Sequence, residues 1–324
     1  MDVAIIGAGI AGLSCANALK EAGNNCTLFD KGRGPGGRMS TRRLQTPLGE
    51  VAFDHGAQYF TARDPSFKRL VNDWQCAGIA APWPEAGNDI WVGVPGMNAM
   101  VRHMAVSHKV FWHHLVVSVC RRAGSWWLLV DGRENGPFDT IVLAVPAEQA
   151  AAILSLHDFG MARKALMSRS QPCWTGMFAF DRPLQALPDI MRDRGSIAWA
   201  ARNSAKPGRS GPEAWVVQAG AAWSADRLEA SPVDVIEELR TSFAEAAGGG
   251  PLPEPVIEQA HHWRFALSAG TGDGALWNAD LGLGVCGDWL VGPRVESAWV
   301  SGRLLASKCL KQNRLGTVPY AKSA

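Results

Sequence analysis

Gly7, Gly9 and Gly12 have the spacing needed at a turn between a strand and a helix, and a turn of that kind can hold a phosphate. Without side chains the backbone closes on a pyrophosphate, whose charge meets the amino-terminal end of the helix that Ile10 and Ala11 open. Asp30 lies 18 residues after Gly12, where a carboxylate can accept from ribose hydroxyls. A second glycine-rich loop, Gly32-Arg33-Gly34-Pro35-Gly36-Gly37-Arg38-Met39-Ser40, follows at once, preceded by Lys31. A plain NAD dehydrogenase has no use for it. Gly36 and Gly37 permit backbone contact with phosphates or a ribityl chain, and Arg38 adds a charge-assisted donor fork. Late in the chain, Val285-Cys286-Gly287-Asp288-Trp289 offers a carboxylate to a polyol at the end of an apolar run. The helix after it, with Val295, Glu296 and Ala298, can point its positive end at a flavin pyrimidine. Three such blocks in this order point to FAD.

These residues need a frame. Residues 3–6 read as a buried strand, 10–22 as a helix ended by Gly23, and 26–29 as a second strand: a βαβ opening. Residues 110–112, 116–120 and 125–130 read as strands, 138–145 as another, and 146–154 as a helix. Further strands are expected at 173–180, 197–201, 215–219 and 281–286, with helices at 232–247 and 295–310. Nucleotide signals stand at both ends of the chain with different sequence between them. The fold class expected is α/β: a Rossmann-like FAD-binding domain built from residues 1–60, 96–155 and 276–324, with an inserted mixed-sheet substrate domain of residues 61–95 and 156–275.

Composition closes off other classes. A net charge of +2 gives no field for nucleic acid or a membrane surface, and Lys308, Lys311, Arg314 and Lys322 read as a solvated tail. The seven cysteines are odd in number and irregular in spacing, which suits a reducing cytoplasm without disulfides. The apolar amino terminus carries Asp2 and three glycines and does not read as a leader, and no run is long enough to span a membrane. His113-His114 and His261-His262 lack metal spacing, so no metal is expected. No Gly-x-Ser-x-Gly elbow is present for serine hydrolysis.

The run from Leu28-Phe29-Asp30-Lys31 to Gly36-Gly37-Arg38-Met39-Ser40, and then Asp54-His55-Gly56-Ala57-Gln58-Tyr59-Phe60-Thr61, resembles the renalase branch of the flavin amine oxidase superfamily, its bacterial members above all. Trp91-Val92-Gly93, Pro95-Gly96-Met97, Asp280-Leu281-Gly282 and Arg294 through Trp299 extend the likeness over nearly the whole chain; residues 83–91 are short for it. The resemblance implies noncovalent FAD in a two-domain fold like that of the hydroxybenzoate hydroxylases and amine oxidases. It implies oxidation of dihydronicotinamides reduced at the wrong ring position, to NAD(P)+ and hydrogen peroxide. Gly56, Ala57 and Gln58 would lie near the flavin ring, and Val117 would offer its backbone to adenine.

An amine oxidase is the alternative. Its relatives place a lysine on a substrate-domain strand, and the corresponding strand here puts Thr175 at that point. They often flank the amine with two tyrosines, whereas this chain has only Tyr59 and Tyr320. Some attach FAD through a late cysteine, but Cys286 lies in an apolar run. A dihydronicotinamide is a ready hydride donor and needs planar walls more than a base. With 14 tryptophans in the chain, candidate walls are Tyr59, Trp174, His262, Trp263 and Trp289; His261 and His262 must point to opposite faces of their strand. A third possibility is a flavin module passing electrons to a protein partner, but the sequence implies no obligate one. The partners expected are a dihydronicotinamide nucleotide and O2.

Overall fold

The apolar run Val3-Ala4-Ile5-Ile6 is buried because it lies in the middle of a parallel sheet, covered on both faces. The strand Asp2–Ile6 pairs in parallel with Asn25–Asp30 on one side and Thr140–Leu143 on the other. Lys109–Trp112 and Leu283–Val285 extend the two sides in parallel, and Leu276–Asn278 closes one edge antiparallel. The helix Ile10–Glu21 makes the first crossover. Strand order reverses at Asp2–Ile6, and the crevice beyond such a switch point is where open α/β sheets bind ligands.

This computed structural model describes residues 1–185 and 187–315. They form two units, one of residues 1–37, 103–169 and 269 onward, the other of Arg38–Arg102 and Ser170–Ser268. In the first, the helix Val295–Leu315 packs on Ile10–Glu21 so closely that a Cβ on Gly302 would lie 2.2 Å from the Ala11 carbonyl oxygen. An antiparallel meander, Val116–Arg122, Ser125–Val130 and Arg133–Phe138, completes this unit with the helices Ala147–Leu154 and Phe159–Met167.

The second unit is built on a five-stranded sheet in the order Ile190–Arg194, Ile197–Arg202, Glu213–Ala219, Ser170–Phe180, Ile257–Ser268. All its pairings are antiparallel, so this sheet is not the mixed one expected. The helix Pro232–Ala246, started by the Ser231 cap and Pro232, covers one face with Val235, Leu239 and Phe243. Against part of the other face lie Val51 and Phe53 of the hairpin Thr41–Thr46 and Gly49–Asp54.

That hairpin moves the expected boundaries. Residues 38–60 and 96–102 belong with the second unit, because Val51 and Phe53 share a core with Met177, Ala179 and Val216. Residues 156–169 and 269–275 belong with the first. Met161, Ala162 and Ala165 enter its core, and Thr271 and Gly274 donate to the Trp289 and Leu290 carbonyls. The strand expected over 138–145 is in fact two. Phe138 ends the meander, and Thr140 starts a strand of the parallel sheet. The one expected over 281–286 shortens to Leu283–Val285. Of the basic tail, Lys308 is on the last helix and donates to the Ala275 carbonyl; Lys322, like Tyr320, lies outside the described residues.

Candidate active site

The glycine turn sits where the sequence puts it. A Cβ on Gly12 would lie 2.1 Å from the Gly7 carbonyl oxygen, so the helix can start this close to the turn only with glycine there. A Cβ on Gly9, by contrast, would meet nothing within 4 Å, leaving open space over the helix amino terminus. Gly9 caps that helix without a side-chain acceptor, which leaves its first amides to a ligand. Asp30 closes the cradle: one carboxylate oxygen accepts from the Ala8 amide at 2.7 Å and the other from the Gly32 amide at 2.7 Å. Gly37, at φ +54°, faces the first turn: a Cβ built on it would lie 3.7 Å from the Gly9 Cα. Gly36 and Met39 are buried, whereas Lys31 and Arg33 are exposed.

The other residues expected at the nucleotide end lie in the same unit. Val117 lies on an outer strand of the meander, at a register shift that leaves it opposite no residue of Ser125–Val130. Asp288 is buried in the short turn Asp288–Leu290 after Gly287. Val295, Glu296 and Ala298 occupy the first turn of the last helix, where the Ser297 hydroxyl is buried without a partner. An open anion cradle, a carboxylate at a strand end and an orphaned hydroxyl at a second helix start fit a dinucleotide. Trp289 is not a wall of this site. It is 1% exposed in the core, with its indole N–H donating to the Val145 carbonyl.

In the second unit, the register of the sheet sets four side chains in one row across four strands. Trp199 pairs with Gln218, Gln218 with Thr175, and Thr175 with His261. Cross-strand partners project to the same face, so these four share the face opposite the Pro232–Ala246 helix. Trp263, two residues beyond His261, shares it too. The segment 54–59 is tied to this row: the Gly56 carbonyl accepts from Gln218 Nε2 at 2.8 Å, and Trp263 Nε1 donates to the His55 carbonyl at 2.7 Å. Gly56 has no room for a side chain, since a Cβ would lie 2.1 Å from the Arg38 carbonyl oxygen. The neighbouring Ala57 amide donates to that same oxygen at 2.8 Å, and Arg38 reaches the Ala266 carbonyl. Tyr59 packs against Trp199, ring centres 5.2 Å apart.

His262 points the other way. It stacks on Trp174 at 4.4 Å and 9°, on the face covered by the helix, and Trp174 is a buried core residue. The histidine on the face opposite the helix is His261. Sequence alternation separates the two residues but cannot say which side the helix covers. Arg42 Nη2 donates to His261 Nδ1 at 3.3 Å, which makes that nitrogen an acceptor. Burial, then the Arg42 charge, pushes His261 down to about 4. Burial, then His261 and Arg42, pushes His55 down to about 3. Both rings are neutral at neutral pH.

Sequence reasoning missed a charged cluster buried beside this segment. Asp54 accepts from the Met97 amide and Thr41 hydroxyl, and pairs with Arg209 at 2.5 Å and Lys206 at 3.4 Å. Burial alone would raise its carboxyl, but the two cations outweigh that and hold it at about 2. Lys206 also donates to Gln58 Oε1 at 3.1 Å. Burial lowers the ammonium to about 8, against the pull of Asp54. Among the described residues no group of histidine, cysteine and carboxylate side chains has metal-site geometry, and no helix is long and apolar enough to cross a membrane.

Two family models match the chain. Residues 5–74 match an NAD(P)-binding Rossmann-like domain, and residues 84–310 match the family described as flavin containing amine oxidoreductase. Among solved structures, an Exiguobacterium sp. 255-15 protein provisionally described as a protoporphyrinogen oxidase has a TM-score of 0.75 at 11% identity, over 96% of this chain and 99% of that one. Cyclohexylamine oxidase from Brevibacterium oxydans IH-35A gives 0.69 at 12% identity, over 97% and 99%. A putrescine oxidase bound to putrescine gives 0.68 at 14%, over 96% and 99%. At these identities the likeness is one of fold. The family match, however, spans more than half of the sequence, and with it the chain belongs to the flavin containing amine oxidoreductases as an FAD-dependent oxidoreductase.

Proposed function

We propose that this enzyme oxidises dihydronicotinamide nucleotides reduced at ring position 2 or 6 to NAD(P)+, with dioxygen as the final acceptor. The balance is NAD(P)H + O2 + H+ giving NAD(P)+ + H2O2. The observation that carries the reading is the row Trp199–Gln218–Thr175–His261, which holds a planar indole, an amide, a hydroxyl and a neutral imidazole, and no ammonium. Thr175 is fully buried, with its hydroxyl 3.9 Å from the Cys173 thiol.

A bound flavin supplies the two-electron acceptor, which dioxygen can regenerate. The chain's own residues bind and orient. The Gly7–Gly12 turn, Asp30 and Asp288 hold the nucleotide end. Gly56, Ala57 and Gln58 border the ring, and Tyr59, Trp199 and Trp263 give flat surfaces for a pyridine ring. A dihydropyridine gives up hydride without a base and leaves a cationic ring, so neutral His55 and His261 add no opposing charge. Cys286 is fully buried near Cys15, whose thiol is held well up by its hydrogen bond to Cys286 and by burial, so FAD is bound noncovalently. The free cysteines suit the reducing cytoplasm.

A second reading is oxidation of an amine. It draws on the family, on neighbours named for cyclohexylamine and putrescine, and on Lys206, a buried lysine that the sequence argument from Thr175 did not weigh. Aerobic turnover separates the two. The first reading expects NAD(P)+ and hydrogen peroxide in equal amounts from 2- or 6-dihydro NAD(P)H, and neither aldehyde nor peroxide from amines. Peroxide formed only with an amine would overturn it.

A further inference from the structure

Lys206 is the one lysine or arginine whose whole residue is buried among the described residues, at 2% exposure. Neither the nucleotide cradle nor the row on the sheet accounts for it. An ammonium can only donate, so the Gln58 amide must turn its oxygen to Lys206. Its nitrogen is then committed to the Asp54 carbonyl and, at 3.2 Å, the Gly56 carbonyl. Every group of that side chain is in use, in one orientation.

Asp54 does not need Lys206 for charge balance. Arg209 already pairs with it and is anchored on the Gly93 and Pro207 carbonyls. A second buried cation beside one carboxylate carries a desolvation cost. The contact that sets Lys206 apart is the one to Gln58. Three elements surround it: Asp54 and Gln58 from the strand Gly49–Asp54 and the segment after it, Arg209 from the loop after Asn203–Ala205, and the Trp83 ring, 5.4 Å from the ammonium, from the loop before Pro84–Ala86.

We propose that Lys206 is a positioning residue that fixes the Gln58 amide and the segment 54–59, so that its charge acts on the flavin ring through Gln58. This rests on the reading of Gly56, Ala57 and Gln58 as ring-side residues. Loss of the proton removes the charge-assisted donor to Gln58 and leaves Asp54 with Arg209 alone.

The test is a titration of the visible absorption of the oxidised, FAD-loaded protein from about pH 6 to pH 10. The wild type is expected to show a sigmoidal shift of the flavin band with its midpoint near 8, where burial holds the ammonium. Lys206→Met is expected to abolish it, and Lys206→Arg to abolish it while keeping the low-pH spectrum. Gln58→Glu sets a carboxylate against the ammonium and is expected to raise the midpoint by about one unit or more. A wild type without a transition in this range would overturn the proposal. So would a transition that survives Lys206→Met or stays in place in Gln58→Glu. Failure of the underlying reading looks different: FAD is retained, but Gln58→Glu and Gln58→Ala leave its spectrum unchanged at every pH.

Discussion

Asp30 binds two backbone amides, one in each glycine loop, so it organises the cradle itself. Asp30→Ala leaves both amides without their acceptor, a loss of about 1–3 kcal/mol. The FAD dissociation constant is expected to rise roughly 10- to 100-fold by fluorescence titration, and the thermal midpoint of the apo protein to fall by a few degrees. The histidines predict an acid response. The folded values of His55 and His261, about 3 and about 4, lie below the ordinary 6.5. As pH falls, the unfolded chain therefore takes up protons first: stability is full above about pH 6.5 and declines toward 4. Urea unfolding is expected to lose roughly 2–4 kcal/mol between pH 7 and pH 5, and His261→Asn to remove about half of that loss. An unchanged acid slope in His261→Asn would contradict this. Asp30 was legible because glycines and acid fall within one βαβ unit. The pair of Asp54 and Lys206 was not, because partners 152 residues apart leave no local pattern.

Strand alternation shows that neighbours face opposite ways, but the pairing register decides which residues meet. It is the register that gathers Trp199, Gln218, Thr175 and His261 into one row and sends Trp174 and His262 to the helix side. The two faces predict two kinds of tryptophan variant. Trp174→Ala opens a cavity beneath the helix Pro232–Ala246 and is expected to cost about 3–5 kcal/mol in unfolding, with the remaining folded protein still reducible. Trp199→Ala is expected to cost less stability but to raise KM for the dinucleotide about tenfold or more. Equal effects of both on KM would show that the face opposite the helix is not the substrate side. The glycine turn and the βαβ opening were readable from sequence because their chemistry and elements are contiguous. The residues expected as walls divide: Thr175 and Trp263 lie on the face opposite the helix with Tyr59 packed on Trp199, Trp174 and His262 lie on the helix side, and Trp289, a large apolar residue next to a motif, is core.

At the scale of the whole molecule, the chain passes from one unit to the other at residues 37, 102, 169 and 268. The sequence implied such interleaving from nucleotide signals at both ends, but not where the crossings fall. Composition does not record that Val51 and Phe53 are buried against strands more than a hundred residues downstream. The same interleaving lets Gly12 and Gly56 be tested separately, one in each unit. Gly12→Ala is expected to release FAD, since the helix start must move away from Gly7, with the second unit's near-ultraviolet signal retained. The central claim concerns the electron donor. Its most direct test is anaerobic mixing of the FAD-loaded enzyme with 2- or 6-dihydro NAD(P)H or with amines, following the flavin band in a stopped-flow instrument. Rapid bleaching by the dihydronicotinamide, with none by any amine, is the result expected. Bleaching by an amine alone, with the dihydronicotinamides inert, would contradict it.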